Sequence, residues 1–495
     1  MAFLKIAILH INFIKNYCKF SKSVIIDLYQ GDDFNLNYEV DSRKVRPGQT
    51  FVALKGHTVD GHDYILDAIK NGASKVVAEK NVQCSVPLEV VENTENYLKE
   101  VLKKEYADKI NTLKIIGITG TNGKTTTAYL TYQLLNDFGE KTAYIGTIGF
   151  KTPNEEIVTE NTTPDILTIY TLLLHALEIG CNTVVMEISS HALSYERIYG
   201  LHIDIAAFTN LTEDHLDYHK TMENYLNAKL KIIDYMQKDS KLIVNSDDEA
   251  SKAFVNKFGS GIKLGYNNKK YDYNIEKANI TPAETHITFT YENKEYEVTT
   301  NLTSKFNVYN YMTALAILHE CGYSLQEIIS KTKDLHAPKG RCETHKVNNG
   351  YAVIDYAHTP DAVEKVITAY NELKKGKVIT IVGCGGDRDP IKRPIMGNIA
   401  TSLSDYTILT SDNPRTEDPA KIMEDILKGV KSDNYEVELD RKTAIKKGIE
   451  MLKPEDILLI LGKGHEDYQI IGHTKIHLDD AEEVENWKKE HEVLP

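Results

Sequence analysis

The sequence predicts an α/β protein of three domains: a small N-terminal α/β domain over 1–112, a central P-loop parallel-sheet domain of ATPase type over 113–337, and a C-terminal Rossmann-like domain over 338–495. Three observations predict it. Short β-branched runs alternate with helix-compatible segments along most of the chain, the pattern of parallel sheets covered by helices. One of those runs, Leu113 to Ile118, passes directly into Gly120-Thr121-Asn122-Gly123-Lys124-Thr125-Thr126. The alternation then restarts after Pro338-Lys339-Gly340. At 495 residues the chain also exceeds what one hydrophobic core organises.

In the first domain, Thr50 to Leu54 and Lys75 to Ala78 read as strands around a helix from Tyr64 to Asn71. The polar stretch Asn93 to Asn111 is helical in pattern. In the second, the loop feeds a helix over Ala128 to Phe138. Lys141 to Ile148 and Thr183 to Ile188 are strands, with a helix over Thr163 to Ile179 started by a proline. Ile205 to Phe208 and Lys241 to Asn245 continue the strands, and Met222 to Tyr235 is helical. Ile287 to Tyr291 and Tyr296 to Thr300 alternate around Glu292-Asn293-Lys294, a hairpin at the sheet's margin. In the third, Ala352 to Asp355, Val378 to Val382, Tyr406 to Thr410 and Asp456 to Leu461 are strands separated by helices.

Composition excludes some functions. A net charge of −14 argues against a general nucleic-acid grip. Six scattered cysteines with no C-x-x-C pair suggest neither a zinc site nor a disulfide framework, and fit a reducing cytoplasm. The apolar leader Ala2 to Ile14 is interrupted by Lys5 and His10 and is too short to span a bilayer. Its charge follows the apolar run and no cleavage site appears, so it is read as part of the first domain, without stable membrane insertion.

The glycine turn is built to cradle phosphate. Its backbone N–H groups turn towards the anion and the following helix adds its positive end. Lys124 reaches terminal phosphates and Thr125 offers a hydroxyl to Mg2+. The spacing departs from the strict Walker pattern, with Ile118 at its first glycine position. The reading is an ATP site. Downstream, Glu187 ends a strand before Ile188-Ser189-Ser190-His191, where a carboxylate faces the ligand crevice and suits a second Mg2+ contact. Thr212-Glu213-Asp214-His215-Leu216-Asp217-Tyr218-His219 places three acids and two histidines beyond another strand. Metal ligation and an acidic helix start are both open there. Lys229, taken alone, is an ordinary solvated lysine.

In the third domain four loops follow successive strands: Asp355-Tyr356-Ala357-His358, Gly383-Cys384-Gly385-Gly386-Asp387-Arg388-Asp389, Asp412-Asn413-Pro414-Arg415 and Gly462-Lys463-Gly464-His465-Glu466. Each alone is a plain turn as readily as a site; together they form a crevice for a separate ligand.

These motifs, with Asn161-Thr162-Thr163-Pro164, Phe306-Asn307-Val308-Tyr309-Asn310 and Gly340-Arg341, resemble those of the Mur ligases, ATP-dependent amino-acid ligases of peptidoglycan synthesis. The resemblance covers nearly the whole chain and is strongest to the subgroup that adds a diamino acid to UDP-N-acetylmuramoyl-L-alanyl-D-glutamate. It implies that Ser42, in Asp41-Ser42-Arg43, meets the uridine end. It implies that Asn161, Thr162, Thr163, Ser189 and Arg197 grip the muramoyl-peptide, with Tyr195 standing where several members have glutamine. Lys124, Glu187, His215 and Lys229 are the implied catalytic set, Lys229 as a carbamate helping Thr125, Glu187 and His215 hold Mg2+. Asn307, Arg341 and Asp355 would surround ATP.

The implied reaction transfers the γ-phosphoryl group of ATP to a carboxylate, whose acyl phosphate an amine then attacks. Asp412, Asn413, Pro414 and Arg415 resemble the diaminopimelate signature. Arg415 would pair with the far carboxylate that lysine lacks, Arg388 with a second carboxylate, and Glu466 and the Gly462 carbonyl with an ammonium. The competing possibility is that Arg415 merely pairs with Glu417 or Asp418. The expected partners are thus UDP-N-acetylmuramoyl-L-alanyl-D-glutamate and meso-diaminopimelate with ATP and Mg2+, acted on by a cytoplasmic monomer. L-Lysine or another amino acid, a P-loop kinase, and an inert sugar-nucleotide binder are the rival readings.

Overall fold

The computed structural model describes residues 36–56 and 59–491, so the reading of the Met1 to Ile26 leader lies outside the described residues. Two compact units divide the described chain. One takes the residues up to Ile115 with Lys141–Val184 and His191–His202; the other takes Ile116–Glu140, Val185–Ser190 and the remainder from Ile203.

In the first unit, Tyr38–Glu39, Thr50–Val52, Lys75–Ala78 and Leu88–Val90 form a four-stranded parallel sheet. Phe51, Val76 and Ala78 pack there against Ile65 and Ala68 of helix Ile65–Lys70. The polar stretch after Asn93 is helical as expected, capped by the Asn93 side chain on the Asn96 amide. Strands Thr142–Gly146, Gly149–Thr152 and Glu155–Ile157 meander antiparallel. The second and third of these carry no apolar run and were not read from sequence. The helix expected from Thr163 begins at Ile166 instead. Pro164 disfavours helical backbone before it, and Asp165 then caps the helix by accepting from the Thr168 amide.

In the second unit, Lys114–Thr119 pairs in parallel with Ile203–Phe208, which pairs with Met236–Asn245. Ile262–Tyr266 and Tyr273–Ile280 extend that run, two parallel strands missed because Lys263, Asn274, Glu276 and Lys277 interrupt their apolar pattern. The next two strands pair antiparallel, so the sheet is mixed rather than purely parallel. Its margin is the expected hairpin of Thr285–Tyr291 and Lys294–Thr300. Glu292 and Asn293 both have positive φ there, the geometry of a tight two-residue hairpin turn.

The C-terminal sheet runs in spatial order Arg341–Val347, Gly350–Asp355, Ile457–Leu461, Val378–Val382, Tyr406–Leu409, Tyr435–Val437. All pairs but the first are parallel. Helices Pro360–Leu373, Lys392–Leu403 and Pro419–Leu427 contribute to one core, and Arg441–Met451 and Asp480–His491 to another. Helices on both faces bury the strands, so their sequences read as continuous apolar runs.

One tie between sheet and last helix is pH-dependent. His345 Nε2 lies 3.0 Å from Glu343 and Nδ1 3.0 Å from Glu485. Burial alone would push the imidazole down, but the two carboxylates outweigh it and it titrates above its ordinary value. The stabilisation is then complete below the unfolded value of about 6.5 and is lost as pH rises through the folded one. His345→Gln should lower the melting temperature near pH 6 and leave it nearly unchanged in the alkaline range, by scanning calorimetry. A deficit that grows with pH would refute this.

Candidate active site

The phosphate loop is held from below. Gly123, at φ +86°, ends the turn and Lys124 already lies in helix Lys124–Asp137, four residues earlier than the apolar pattern placed its start. A Cβ on Gly123 would sit 2.3 Å from Asn310 Oδ1, so both backbone and space demand glycine. Thr121 N donates to Asn210 O at 2.8 Å and Asn122 N to Asn210 Oδ1 at 3.0 Å. Asn245 Nδ2 braces this second loop by donating to Thr209 O at 2.9 Å.

Two lysines converge on one carbonyl. Lys124 Nζ donates to Gly120 O at 3.0 Å and to Thr121 O at 2.8 Å, while Lys229 Nζ donates to Gly120 O at 2.6 Å. Lys229 is 1% exposed and its Nζ stands 4.3 Å from the centre of the Tyr225 ring. Burial, then the neighbouring Lys124, pushes the Lys229 ammonium well below its ordinary value, and burial lowers Lys124 too. The expectation of a solvated Lys229 from sequence alone is therefore overturned. Tyr225 was missed, although it lies one helical turn before Lys229 and on the same face. Its hydroxyl accepts from Thr121 Oγ1 at 3.2 Å.

Glu187 closes strand Thr183–Glu187, is fully buried, and accepts from Thr125 Oγ1 at 2.9 Å. The two expected histidines diverge. His215, at φ +54°, heads helix Leu216–His219 with its ring half-exposed and Nε2 3.4 Å from Asp214. His219 is buried with Nε2 2.9 Å from Ser190 Oγ, so it ties that helix to the loop after Glu187.

A recess of about 80 Å3 beside the loop is lined by Asn122, Asn210, Asn245, Phe306, Tyr309 and Thr313. Phe306 is 37% exposed and offers a ring face to a planar ligand. Asn307 points inward: its Nδ2 donates to Thr303 O at 2.8 Å and its Oδ1 accepts from Asn310 Nδ2 at 2.9 Å. It reaches the phosphate loop through Asn310.

The loops of the C-terminal sheet do converge. Asp355 Oδ2 accepts from Cys342 N and Oδ1 from Ala357 N, both at 2.9 Å, and burial raises its carboxyl. The Arg341 guanidinium lies 4.9 Å from the Tyr356 ring centre, with its Nε unpartnered among the described residues. Gly462 N donates to Asp355 O at 3.1 Å. Asn413 Nδ2 donates to Glu466 Oε2 at 2.7 Å, and Asn413 Oδ1 accepts from Ile470 N at 2.9 Å. Lys463, fully buried, also meets Glu466, at 3.3 Å. Below this loop the buried pair of Arg441 and Asp480 lends a further donor to Leu461 O. Asp412, also buried, accepts from the Asn413 amide.

Arg415 has φ +52°, its N donates to Ile470 O at 2.9 Å, and its O accepts from Gly472 N. Its Nη1 rests on Gly386 O at 2.8 Å and Asn413 O at 3.4 Å. Neither Glu417 nor Asp418 takes it: Glu417 binds Arg393, and Asp418 caps helix Pro419–Leu427. Arg388 is exposed, its nearest bond a long one to Asp387 O at 3.5 Å.

Other expected residues lie in the first unit. Ser42 is buried and its carbonyl accepts from Asn71 Nδ2 at 2.8 Å. Arg197 Nη1 donates to Thr163 O at 2.7 Å, with its guanidinium 5.6 Å from the Tyr195 ring centre. Thr162 Oγ1 lies 3.1 Å from Thr147 Oγ1, and Asn161 is exposed. Ser189, in the second unit, follows Glu187 by two residues.

A phosphate loop with one half-buried and one buried lysine, followed by a second α/β domain with its own crevice, defines a nucleotide-using α/β enzyme. Comparison with known proteins narrows this. Family models match in succession: the Mur ligase family catalytic domain over 37–116, the Mur ligase middle domain over 118–318, and the Mur ligase glutamate ligase domain over 340–464. The chain is 42% identical over 451 residues to UDP-N-acetylmuramoyl-L-alanyl-D-glutamate--2,6-diaminopimelate ligase of Bacillus cereus, covering 90% of this chain and 92% of that protein. The same-named ligase of Aquifex aeolicus is 42% identical over 447 residues, with the same coverage. A solved structure of a ligase of that name aligns with a TM-score of 0.69 at 31% identity, covering 92% of this chain and 95% of the other. MurF ligase from Thermotoga maritima in complex with ADP shares the fold, with a TM-score of 0.63 at 20% identity over 93% and 98% of the two chains. The chain belongs to the Mur ligase family, the ATP-dependent ligases of peptidoglycan synthesis, and has their three-domain architecture.

Proposed function

We propose that this chain joins meso-diaminopimelate to the D-glutamyl side-chain carboxylate of UDP-N-acetylmuramoyl-L-alanyl-D-glutamate, cleaving ATP to ADP and phosphate. The observation that carries the amino-acid choice is Arg415, held by two carbonyls and paired with no carboxylate among the described residues. Such a fork is matched to a carboxylate at the far end of the incoming side chain. In this reading 1–112 holds the UDP-sugar, 113–337 holds ATP, and 338–495 holds the amino acid.

Ser42 meets the uridine end, and Asn161, Thr162, Thr163, Ser189 and Arg197 hold the muramoyl-peptide. Lys124 draws back from Gly120 and Thr121 to meet the terminal phosphates of ATP. Phe306 and Tyr309 cover the base, while Arg341 and Asp355 take phosphate and ribose. The substrate carboxylate accepts the γ-phosphoryl group, giving an acyl phosphate with a good leaving group. The amine attacks that carbonyl, and collapse of the tetrahedral intermediate releases phosphate and leaves the amide. The protein's work is positioning and charge neutralisation.

Hard oxygen donors fit Mg2+, and the buried pair of Thr125 and Glu187 supplies them. Lys229 as an ammonium would repel a dication; as a carbamate, completing the set with His215 at the rim, it would help hold one. Bound Mg2+ would offset the phosphate charge. A cytoplasmic setting fits the five described cysteines, none in a disulfide, and no described helix is long and apolar enough to cross a membrane.

The test is mass spectrometry of the product formed from UDP-muramoyl-dipeptide, ATP and an equimolar panel of amino acids. The diaminopimelate adduct should dominate. An excess of the lysine adduct would overturn the assignment.

A further inference from the structure

We propose that Arg393 is a positioning residue for amino-acid selection, bracing at fixed separation the two loops that carry Arg388 and Arg415. The proposal rests on the diaminopimelate reading above. Arg393 lies in the first turn of helix Lys392–Leu403 and its side chain is only 3% exposed. Its fork takes both oxygens of Glu417, Nη1 to Oε2 at 2.9 Å and Nη2 to Oε1 at 2.7 Å. It also reaches Asp425 at 3.0 Å and Gly385 O at 3.3 Å.

The bonds continue into both loops. Glu417 Oε1 accepts from the Asp387 amide at 2.5 Å. The Asp387 carboxylate accepts from Thr416 N at 3.1 Å and Thr416 Oγ1 at 2.8 Å. Arg388 follows Asp387 directly and Arg415 directly precedes Thr416, so the brace grips the neighbour of each arginine. Asp387 and Arg415 both stand at φ +52°, a left-handed backbone that aspartate tolerates but that a long side chain such as arginine holds only where its surroundings fix it. A nearly buried bidentate guanidinium supplies that determination. The hydrogen bond from Arg393 also holds the Glu417 carboxyl below its ordinary range, as does the Asp387 amide.

The brace is selective in what it supports. The ammonium pocket has a support outside the brace, Lys463 on Glu466, besides the bond from Ile470 N to Asn413, which shares the Arg415 loop. Loosening the brace should therefore impair recognition of the far carboxylate more than the handling of lysine, which lacks that carboxylate.

Steady-state ligation by full-length Arg393→Gln and Glu417→Gln, with diaminopimelate, L-lysine and ATP varied in turn, tests this. Expected is a fall of about tenfold or more in kcat/KM for diaminopimelate, mainly through KM, with KM for ATP within about twofold. The diaminopimelate-to-lysine ratio should fall with it, and the double variant should be no worse than Arg393→Gln alone, since one network is broken. Arg393→Lys, which keeps the charge without the fork, should stay impaired. An unchanged ratio, equal losses for both amino acids, or full activity in Arg393→Lys would overturn the brace. If Arg393→Gln fails to fold, Glu417→Gln carries the same comparison. A wild-type preference for lysine would defeat the underlying reading; a wild-type preference for diaminopimelate with an unchanged ratio in the variants defeats the brace alone.

Discussion

Lys229→Ala should lower the ligation rate by roughly a hundredfold to a thousandfold, the scale seen when one preorganised electrostatic group is removed from a site of charge transfer. Carbon dioxide reacts only with a neutral amine, and the Lys229 environment disfavours the ammonium: the side chain is buried and near Lys124, with a neutral carbonyl as its hydrogen-bond partner. A carbamate there would place an acid against the phosphate loop, where it would help hold Mg2+. Protein incubated with 13C-bicarbonate should show a carbamate carbonyl resonance by NMR that Lys229→Ala lacks. The pH dependence has a definite sign. Burial holds the amine's proton affinity down, so a carbamate formed there should be lost together with activity as acidification reprotonates the amine and releases carbon dioxide. Full activity in Lys229→Ala, or an identical spectrum in the two proteins, would defeat the assignment.

Arg415→Asn should cost about 2–5 kcal/mol in diaminopimelate recognition, roughly thirtyfold to several thousandfold in kcat/KM. Asparagine is the informative substitution because it tolerates the left-handed backbone that Arg415 adopts, so the loss reports the fork rather than strain. Arg415→Lys keeps a charge but cannot bind two oxygens in parallel, and should recover only part of the loss. KM for ATP should stay put in both. Equal losses for lysine and diaminopimelate would show that Arg415 supports the loop instead of reading the substrate. The backbone bonds of Arg415 to Ile470 and Gly472 make that alternative worth measuring.

The phosphate loop was legible in sequence because its parts are contiguous: strand, glycines, lysine, hydroxyl, helix. So were the strands Val378–Val382 and Ile457–Leu461, whose burial on both faces leaves an unbroken apolar run. Strands Gly149–Thr152, Glu155–Ile157 and Tyr273–Ile280 were illegible, since half-exposed strands rich in Lys, Glu and Asn resemble loops. Residues that act through another residue were also hidden. Tyr225 matters through Lys229, Asn310 through Gly123, and Arg393 through Glu417, and no local pattern marks such pairs. The sequence left open whether Arg415 pairs with Glu417, and only the fold shows that carboxylate committed to Arg393.

The contact between Gly123 and Asn310 also bears on how such a sequence can drift. A side chain at 123 meets two separate obstacles, a left-handed backbone and the Asn310 amide. Shortening Asn310 removes one obstacle but deprives Asn307 of its donor and Thr127 of an acceptor. Replacing Asn310 alone therefore leaves position 123 bound to its left-handed backbone, and replacing Gly123 alone drives a Cβ into Asn310. Evolutionary paths through these positions are closed one step at a time, which ties the permitted variation of Lys305–Glu320 to a turn far upstream in the chain.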